Sequence, residues 1–410
     1  MRNSPTVLIS GLHSGPNPSP GLGVARSLRR AWPDVRLHAL DYSTGATGLS
    51  APELDEVRVM PPWDTVDLPS SCAALVGLVA GADAVFIPGL DLEAEVLAEH
   101  RPGDRRLLVP PTGAFQLVRK PGTAVAAALG LRVPEFRRVS DPVEAVGFAT
   151  AHGWRVWVKG SRYEAVAVTD RFGLTWAMDR VRRTWGDQDV LVQRHVDGHE
   201  ESFVFAALDG ELVGACAMAK TMLTPEGKTW AGQVGDLADA DLAALAAFAR
   251  RARWTGGGEV EMVRDATGER YLMEVNPRFP AWVHGATLAG VNLPARLVAA
   301  ATGVPLAVPE QVDARDFVRV VHEVAARFTA PPARLDFPDG RSGGGSKHPS
   351  AMPVLSRRRA DPVDRRPEPV EADPEVPDGP LDTPVRLLFD AVLADRVARV
   401  GDIVARVEAA

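Results

Sequence analysis

The stretch "YLMEVNPRF", Tyr271 to Phe279, carries a carboxylate and an amide two residues apart, Glu274 and Asn276, and then runs into Pro277 and Arg278. On a strand successive side chains point to opposite faces, so Glu274 and Asn276 share one face about 7 Å apart. Upstream, "GEVEMVRDATGE" sets Glu259 and Glu261 in the same alternation. A turn centred on Thr267 and Gly268 puts Glu261 across from Glu274 and Glu259 across from Asn276, with Val260, Met262, Met273 and Val275 on the other face. Carboxylates facing each other across a strand pair repel unless a cation lies between them. Mg²⁺ suits such a set, because it is a hard ion that takes carboxylate and carbonyl oxygens and completes its octahedron with phosphate oxygens and water. A solvated outer strand face is the plain alternative for alternating glutamates. Against it stand Asn276, a poor strand former, and the Pro277-Arg278 stop that follows.

The segment "YLMEVNPRF", with Glu261 thirteen residues before Glu274, resembles the metal-binding strands of the ATP-grasp superfamily. The "NPR" form is most similar to its carbamoyl-phosphate synthetase and biotin carboxylase branch. The resemblance spans about Val7 to Val320, with its specific motifs between Lys120 and Arg278. It implies ATP and Mg²⁺ as cofactors, with Mn²⁺ as a substitute. Glu261, Glu274 and Asn276 would hold the metal on the ATP phosphates, and Arg278 would contact the reacting phosphate or substrate. Lys120, just before a helix over Thr123 to Leu129, is similar to the family's first phosphate lysine. Lys159, closing the apolar strand "RVWVK", resembles the second; a lysine there buries its stem. In "VLVQRHVDGHEES" the resemblance makes Gln193 to Val196 the adenine edge and Glu200 the ribose acceptor, although Asp197-Gly198 alone reads as a hairpin turn. The segment "AKTMLTPEGKTWAG" would lie near the γ-phosphate, where Lys220 or Lys228 neutralises the transferring group; Lys220 is placed with Arg278 in the catalytic set. Asp91 and Glu93 in "GLDLEAE" would border the substrate cleft. One departure is the loop after Lys159, "GSRYEA", which has Gly160 alone where the family is rich in glycine. Ser161, Arg162 and Tyr163 would there do by side chain what backbone N–H groups do elsewhere.

The reaction so implied is ATP-dependent ligation of a small-molecule carboxylate to an amine through an acyl phosphate. Two rivals stand beside it: a bicarbonate-activating carboxylase or carbamoyl-phosphate-type enzyme, and a nucleotide-binding protein without catalysis. A dinucleotide site at Gly21-Leu22-Gly23 is weaker, because the loop is long, rich in proline and lacks the third glycine of that fingerprint. His13, His195, His199 and His284 are scattered without metal or nucleophile spacing. Phe279 and Trp282 read as packing for the following helix, "HGATLAGVNLPARLVAAATG".

Such residues need a scaffold, and the rest of the chain supplies one. At 410 residues and 46% hydrophobic it can build two or three cored domains. From Thr6 to Leu108, strands "TVLIS", "VRLHAL", "AVFIP" and "RLLVP" alternate with helical stretches at Val24–Ala31, Ser70–Ala80 and Leu92–His100, the signature of an open parallel α/β sheet. From Lys120 the pattern becomes strand pairs with helices: "RVWVKG"/"AVAVTD", "ESFVFAAL"/"ELVGACAMA", a helix over Asp239–Arg253, and the acidic hairpin. That is α+β with antiparallel sheets. The expected domains are an α/β domain over 1–115, an ATP-grasp region of two α+β lobes over 116–330, a disordered linker rich in Pro, Gly and charge over 331–380, and an amphipathic helix over 381–410. The final helix suits docking on its own domain or on a protein partner, and the reading leaves room for a homodimer. A net charge of −7 with mixed signs excludes a nucleic-acid footprint. Two distant cysteines, Cys72 and Cys216, point to a reducing, cytoplasmic setting. No basic leader with a long apolar core opens the chain at "TVLISGL", and no run of eighteen apolar residues follows anywhere, so no membrane span or secretion signal is expected.

Overall fold

The computed structural model describes residues 4–13, 19–43, 45–61, 67–160, 165–185, 189–224, 227–307, 315–320, 324 and 355–356. The chain divides into two compact units, Met1–Arg358 and Arg359–Ala410. The second unit lies outside the described residues, as do the expected linker, except for 355–356, and the C-terminal helix.

The N-terminal region is the expected parallel sheet. Strands β1 (Thr6–Ile9), β2 (Arg36–Asp41), β3 (Glu56–Val59) and β4 (Val85–Ile87) stand in the order β3-β2-β1-β4, with α1 (Pro20–Ala31) between β1 and β2, α2 (Leu68–Gly81) between β3 and β4, and α3 (Asp91–His100) after β4. All four residues of β1 are buried, as a strand covered on both faces requires. The chain order reverses between β1 and β4, the position where open α/β sheets form a crevice beyond their strand ends. Two details differ from the sequence reading. "EVRV" forms β3, although its two valines gave little apolar signal. "RLLVP" makes only an isolated bridge, Leu107 with Phe86, before Pro110 and Pro111 end any ladder.

Next come α4 (Thr112–Val118), α5 (Thr123–Ala128), β5 (Phe136–Val139), α6 (Pro142–Ala151), β6 (Val156–Lys159), β7 (Ala165–Val168), α7 (Arg171–Trp185) and β8 (Val190–Arg194). The four strands form an antiparallel sheet, β5-β8-β6-β7. One face packs Val156, Val158, Val190 and Val192 against α6 and α7. The other face therefore carries Trp157, Lys159 and Gln193.

A six-stranded antiparallel sheet follows, from β9 (His199–Leu208), β10 (Glu211–Leu223), β11 (Thr229–Gly235), β12 (Gly256–Arg264), β13 (Arg270–Asn276) and β14 (Asp316–Val318), ordered β13-β12-β9-β10-β11-β14. Helix α8 (Asp239–Ala252) joins α5 over one face, covering Phe205, Val260, Met262, Leu272 and Val275. Helices α9 (Val283–Leu288) and α10 (Leu293–Thr302) join α1 over the other, covering Val204, Cys216, Met218 and Val234. Burying each large apolar side chain here is worth about 1.5–3 kcal/mol, so the sheet is pinned from both sides. The single helix expected after the acidic motif is two. Gly290 at φ +89° breaks it, and the Asn292 side chain restarts it by accepting from Ala295 N at 3.1 Å. A last pair, β15 (Leu355–Ser356), adds antiparallel to β3. No described helix is long and apolar enough to cross a membrane.

Candidate active site

The acidic hairpin has the expected register where it matters: Glu259 faces Asn276 and Glu261 faces Glu274. The turn itself is one residue tighter, with Arg264 opposite Arg270 and Met262 opposite Leu272. A bulge between Glu261 and Met262 restores the alignment. It corrects the apolar face: Leu272, fully buried, takes the core place assigned to Met273, which lines a cavity instead.

That cavity, about 920 Å³, lies between the two antiparallel sheets and α3. Eight of the ten anticipated residues bear on it: Lys120, Lys159, Val196, Glu200, Glu261, Glu274, Asn276 and Arg278. The repulsion expected between the carboxylates is answered by lysines. Lys120 Nζ lies 3.0 Å from Glu274 Oε2, and this cation holds Glu274 down at about 2 despite burial. Lys220 Nζ lies 2.8 Å from both Glu200 Oε2 and Glu261 Oε2. Burial works most strongly to raise Glu261, but the Lys220 charge and the hydrogen bonds from Lys220 and Asn276 together keep the carboxylate below its ordinary range. Asn276 Nδ2 donates to Glu261 Oε1 at 2.7 Å and to Glu259 Oε2 at 2.9 Å.

Lys159 closes β6 as expected, 6% exposed. Its hydrogen bond among the described residues is to Met273 O, at 3.5 Å. Burial pushes its ammonium down to about 8, partly opposed by Glu274. Arg278 Nε lies 2.8 Å from Asp91 Oδ1 at the start of α3, so the N-terminal region contributes an acid to the cavity wall. Burial raises Asp91 and Arg278 lowers it, with the upward effect prevailing. Two residues further on, Glu93 is wholly buried, accepts from the Ser10 and Tyr42 hydroxyls, and is pushed up by burial to about 7.

Two residues sit differently from their expected roles. Gln193 lies inside the four-stranded sheet, paired to Phe136 on one side and Trp157 on the other. A main chain laddered on both sides has no edge for a base. Val196, just past the end of β8, lines the cavity, and no described residue bonds to its backbone. Lys220 does not line the cavity; two carboxylates absorb its charge beneath the floor, whereas Lys228 is exposed at the wall. Ser161, Arg162 and Tyr163 lie outside the described residues. Sequence reasoning assigned nothing to Trp157, which shares the Lys159 face and donates to His195 Nδ1 at 2.9 Å, or to Arg138, which donates to Lys120 O. The two-residue spacing of Trp157 and Lys159 was the available signal for the first.

Among the described residues no three His, Cys, Asp or Glu side chains are gathered to hold a metal. The donor set nevertheless fits a hard cation that is completed by phosphate. Two carboxylates face each other across one strand pair, and Asn276, with its nitrogen turned to Glu259 and Glu261, has its amide oxygen left to serve as a third donor.

An open parallel sheet followed by two antiparallel α+β lobes with a charged cavity between them is the ATP-grasp fold. Residues 186–325 match a family model described as "ATP-grasp in the biosynthetic pathway with Ter operon". Among solved structures, the biotin carboxylase domain of Hydrogenobacter thermophilus 2-oxoglutarate carboxylase, bound to MgADP, ADP and bicarbonate, is similar at TM-score 0.54. It shares 17% identity, over 75% of this chain and 70% of that one. The N5-carboxyaminoimidazole synthase of Aspergillus clavatus, with ADP and its ribonucleotide, is similar at 0.54, with 16% identity over 75% and 79%. The L-amino acid ligase of Bacillus licheniformis is similar at 0.51, with 14% identity over 76% of each chain. No curated protein matches the chain by sequence.

Proposed function

We propose that the protein is an ATP-dependent ligase that joins a small-molecule carboxylate to an amine through an acyl phosphate, releasing ADP and phosphate. The observation that carries this is the facing pair Glu261 and Glu274, set in one cavity with Lys120, Lys159 and Arg278. An acid pair opposite three cations suits the phosphate tail of a nucleotide and the charge that develops as its last phosphoryl group moves.

In this reading Val196 borders the base and Glu200 accepts from the ribose hydroxyls. Glu261, Glu274 and Asn276 would hold Mg²⁺ or Mn²⁺, which would supply positive charge to offset that of the phosphates. Lys120 and Lys159 orient the phosphates, each with its ammonium inside the cavity wall. Arg278 turns between Asp91 and the activated carboxylate. The residues act by positioning and neutralising, so no covalent bond to the chain is needed. Lys220 holds Glu200 and Glu261 in place from below, and Lys228 is the nearer candidate for the moving phosphate.

The test is Mg²⁺-dependent ADP and phosphate release, screened over amino acids, small carboxylic acids and bicarbonate, with Glu274→Gln as control. One acid and amine pair should stimulate release, and the variant should lower it by about 10²–10³-fold. Stimulation by bicarbonate alone would move the protein to the carboxylase reading. ATP binding that never leads to release with any pair would leave a nucleotide-binding protein.

A further inference from the structure

Of the three glutamates on the acidic face, Glu259 alone does not line the cavity, and it is 3% exposed. Val204 lies across from it on β9 and Trp282 bonds to it, both members of the buried core. A carboxylate there is costly unless each oxygen is satisfied. Both are: Oε1 accepts from Trp282 Nε1 at 2.9 Å, and Oε2 accepts from Asn276 Nδ2 at 2.9 Å.

The second bond decides which way the neighbouring amide points. An amide nitrogen has two hydrogens, and those of Asn276 go to Glu259 and Glu261. Glu261, paired with Lys220, only accepts, so the opposite rotation would press the amide oxygen against Glu261 Oε1 and take the nitrogen away from Glu259 Oε2. Trp282 in turn fixes Glu259, and it is held by stacking on Phe317 of β14, ring centroids 5.9 Å apart and 13° from parallel.

We infer that Glu259 is a positioning residue: held by Trp282, it keeps the nitrogen of Asn276 turned inward so that the amide oxygen is presented to the cation site formed with Glu261 and Glu274. The inference rests on the ligand roles given to those three residues under the proposed function. Partners of this kind, behind a metal ligand, commonly change affinity about ten- to hundredfold when removed.

The experiment counts free Mn²⁺ by electron paramagnetic resonance in titrations of the full chain with ADP. It compares wild type, Glu259→Gln, Trp282→Phe and Glu274→Gln, with ADP affinity in chelator measured separately. Glu259→Gln keeps the shape and an acceptor for Trp282 but offers an amide where Asn276 needs a carboxylate. It should weaken Mn²⁺ about ten- to hundredfold while metal-free ADP binding is unchanged; Trp282→Phe should weaken it less, in the same direction. If Glu274→Gln weakens Mn²⁺ and Glu259→Gln does not, the positioning role is overturned and the ligand assignment stands. If neither does, the ligand assignment itself falls, and the inference with it. Equal loss of Mn²⁺ and metal-free ADP would mark Glu259 as a general packing element and also overturn the inference. Should Glu259→Gln fail to fold, Trp282→Phe decides by the same criteria.

Discussion

Lys159 and Lys220 are both strand lysines with buried stems, yet their surroundings differ. Lys220 lies on the six-stranded sheet 2.8 Å from two carboxylates, which raise its affinity for the proton in spite of burial. Lys159 lies on the four-stranded sheet with a carbonyl at 3.5 Å, and burial pushes it down to about 8. The first is neutralised by the protein's own carboxylates; the second has no carboxylate within ion-pair distance among the described residues. A lysine in a nucleotide site is thus informative only once its partners are known, because the same side chain serves as a strut or as a ligand.

The comparison can be broken most directly at Lys220. Lys220→Met leaves Glu200 and Glu261 without their cation and should cost about 3–5 kcal/mol, read as a lower urea midpoint. Normal stability with lost turnover would instead make Lys220 a second catalytic cation. Lys159→Ala should do the reverse, lowering the ADP-release rate about 10²–10³-fold with stability retained or raised. The pH dependence sharpens the contrast. Lys159 gives up its proton near pH 8 in the fold but near 10.5 when unfolded, so the unfolded chain binds more protons across that window. Stability should therefore rise with pH between those values, while ADP affinity falls as pH passes 8. Lys159→Arg should flatten both trends; an unchanged ADP profile would show that Lys159 does not meet the phosphates.

A smaller effect is expected at the carboxylates that repeat this contrast. Glu274, beside Lys120, is held at about 2, whereas Glu93, with hydroxyl partners and no ion-paired cation among the described residues, rises by burial to about 7. A raised carboxyl keeps its proton in the fold after the unfolded chain has lost it. The Glu93 contribution to stability should be present below pH 4.5 and fade as pH climbs to about 7. Thermal midpoints of wild type and Glu93→Gln against pH check this: the difference should change across that range and level off above it.

Much of this was legible in residue order because it depends on alternation. The β12/β13 pair, its shared acidic face and the opposition of Glu261 to Glu274 follow from a period of two and a glycine turn. The buried β1 and β4 and the amphipathic α1 follow from apolar runs and spacing. What escaped was weak in local signal: β3 with two valines, α6, apolar nearly all round and so without a distinct stripe, and α7, whose apolar positions are mixed with polar ones. The bulge that put Leu272 in the core also escaped, since nothing in the local pattern marks one inserted residue.

The sequence by itself determined which chemical groups the protein carries and in what order: acid and amide side chains on one strand face, two lysines and an arginine, and sheets able to present them. Only the tertiary structure decided how those charges are shared. It laddered Gln193 inside a sheet, placed Lys220 between Glu200 and Glu261, set Asp91 against Arg278, and gave Glu259 both Trp282 and Asn276 as donors. The reason is physical. Alternation along a strand is local and fixes which face a side chain takes, whereas the partner of a charge is chosen across strands far apart in sequence, where burial makes every unpaired group costly.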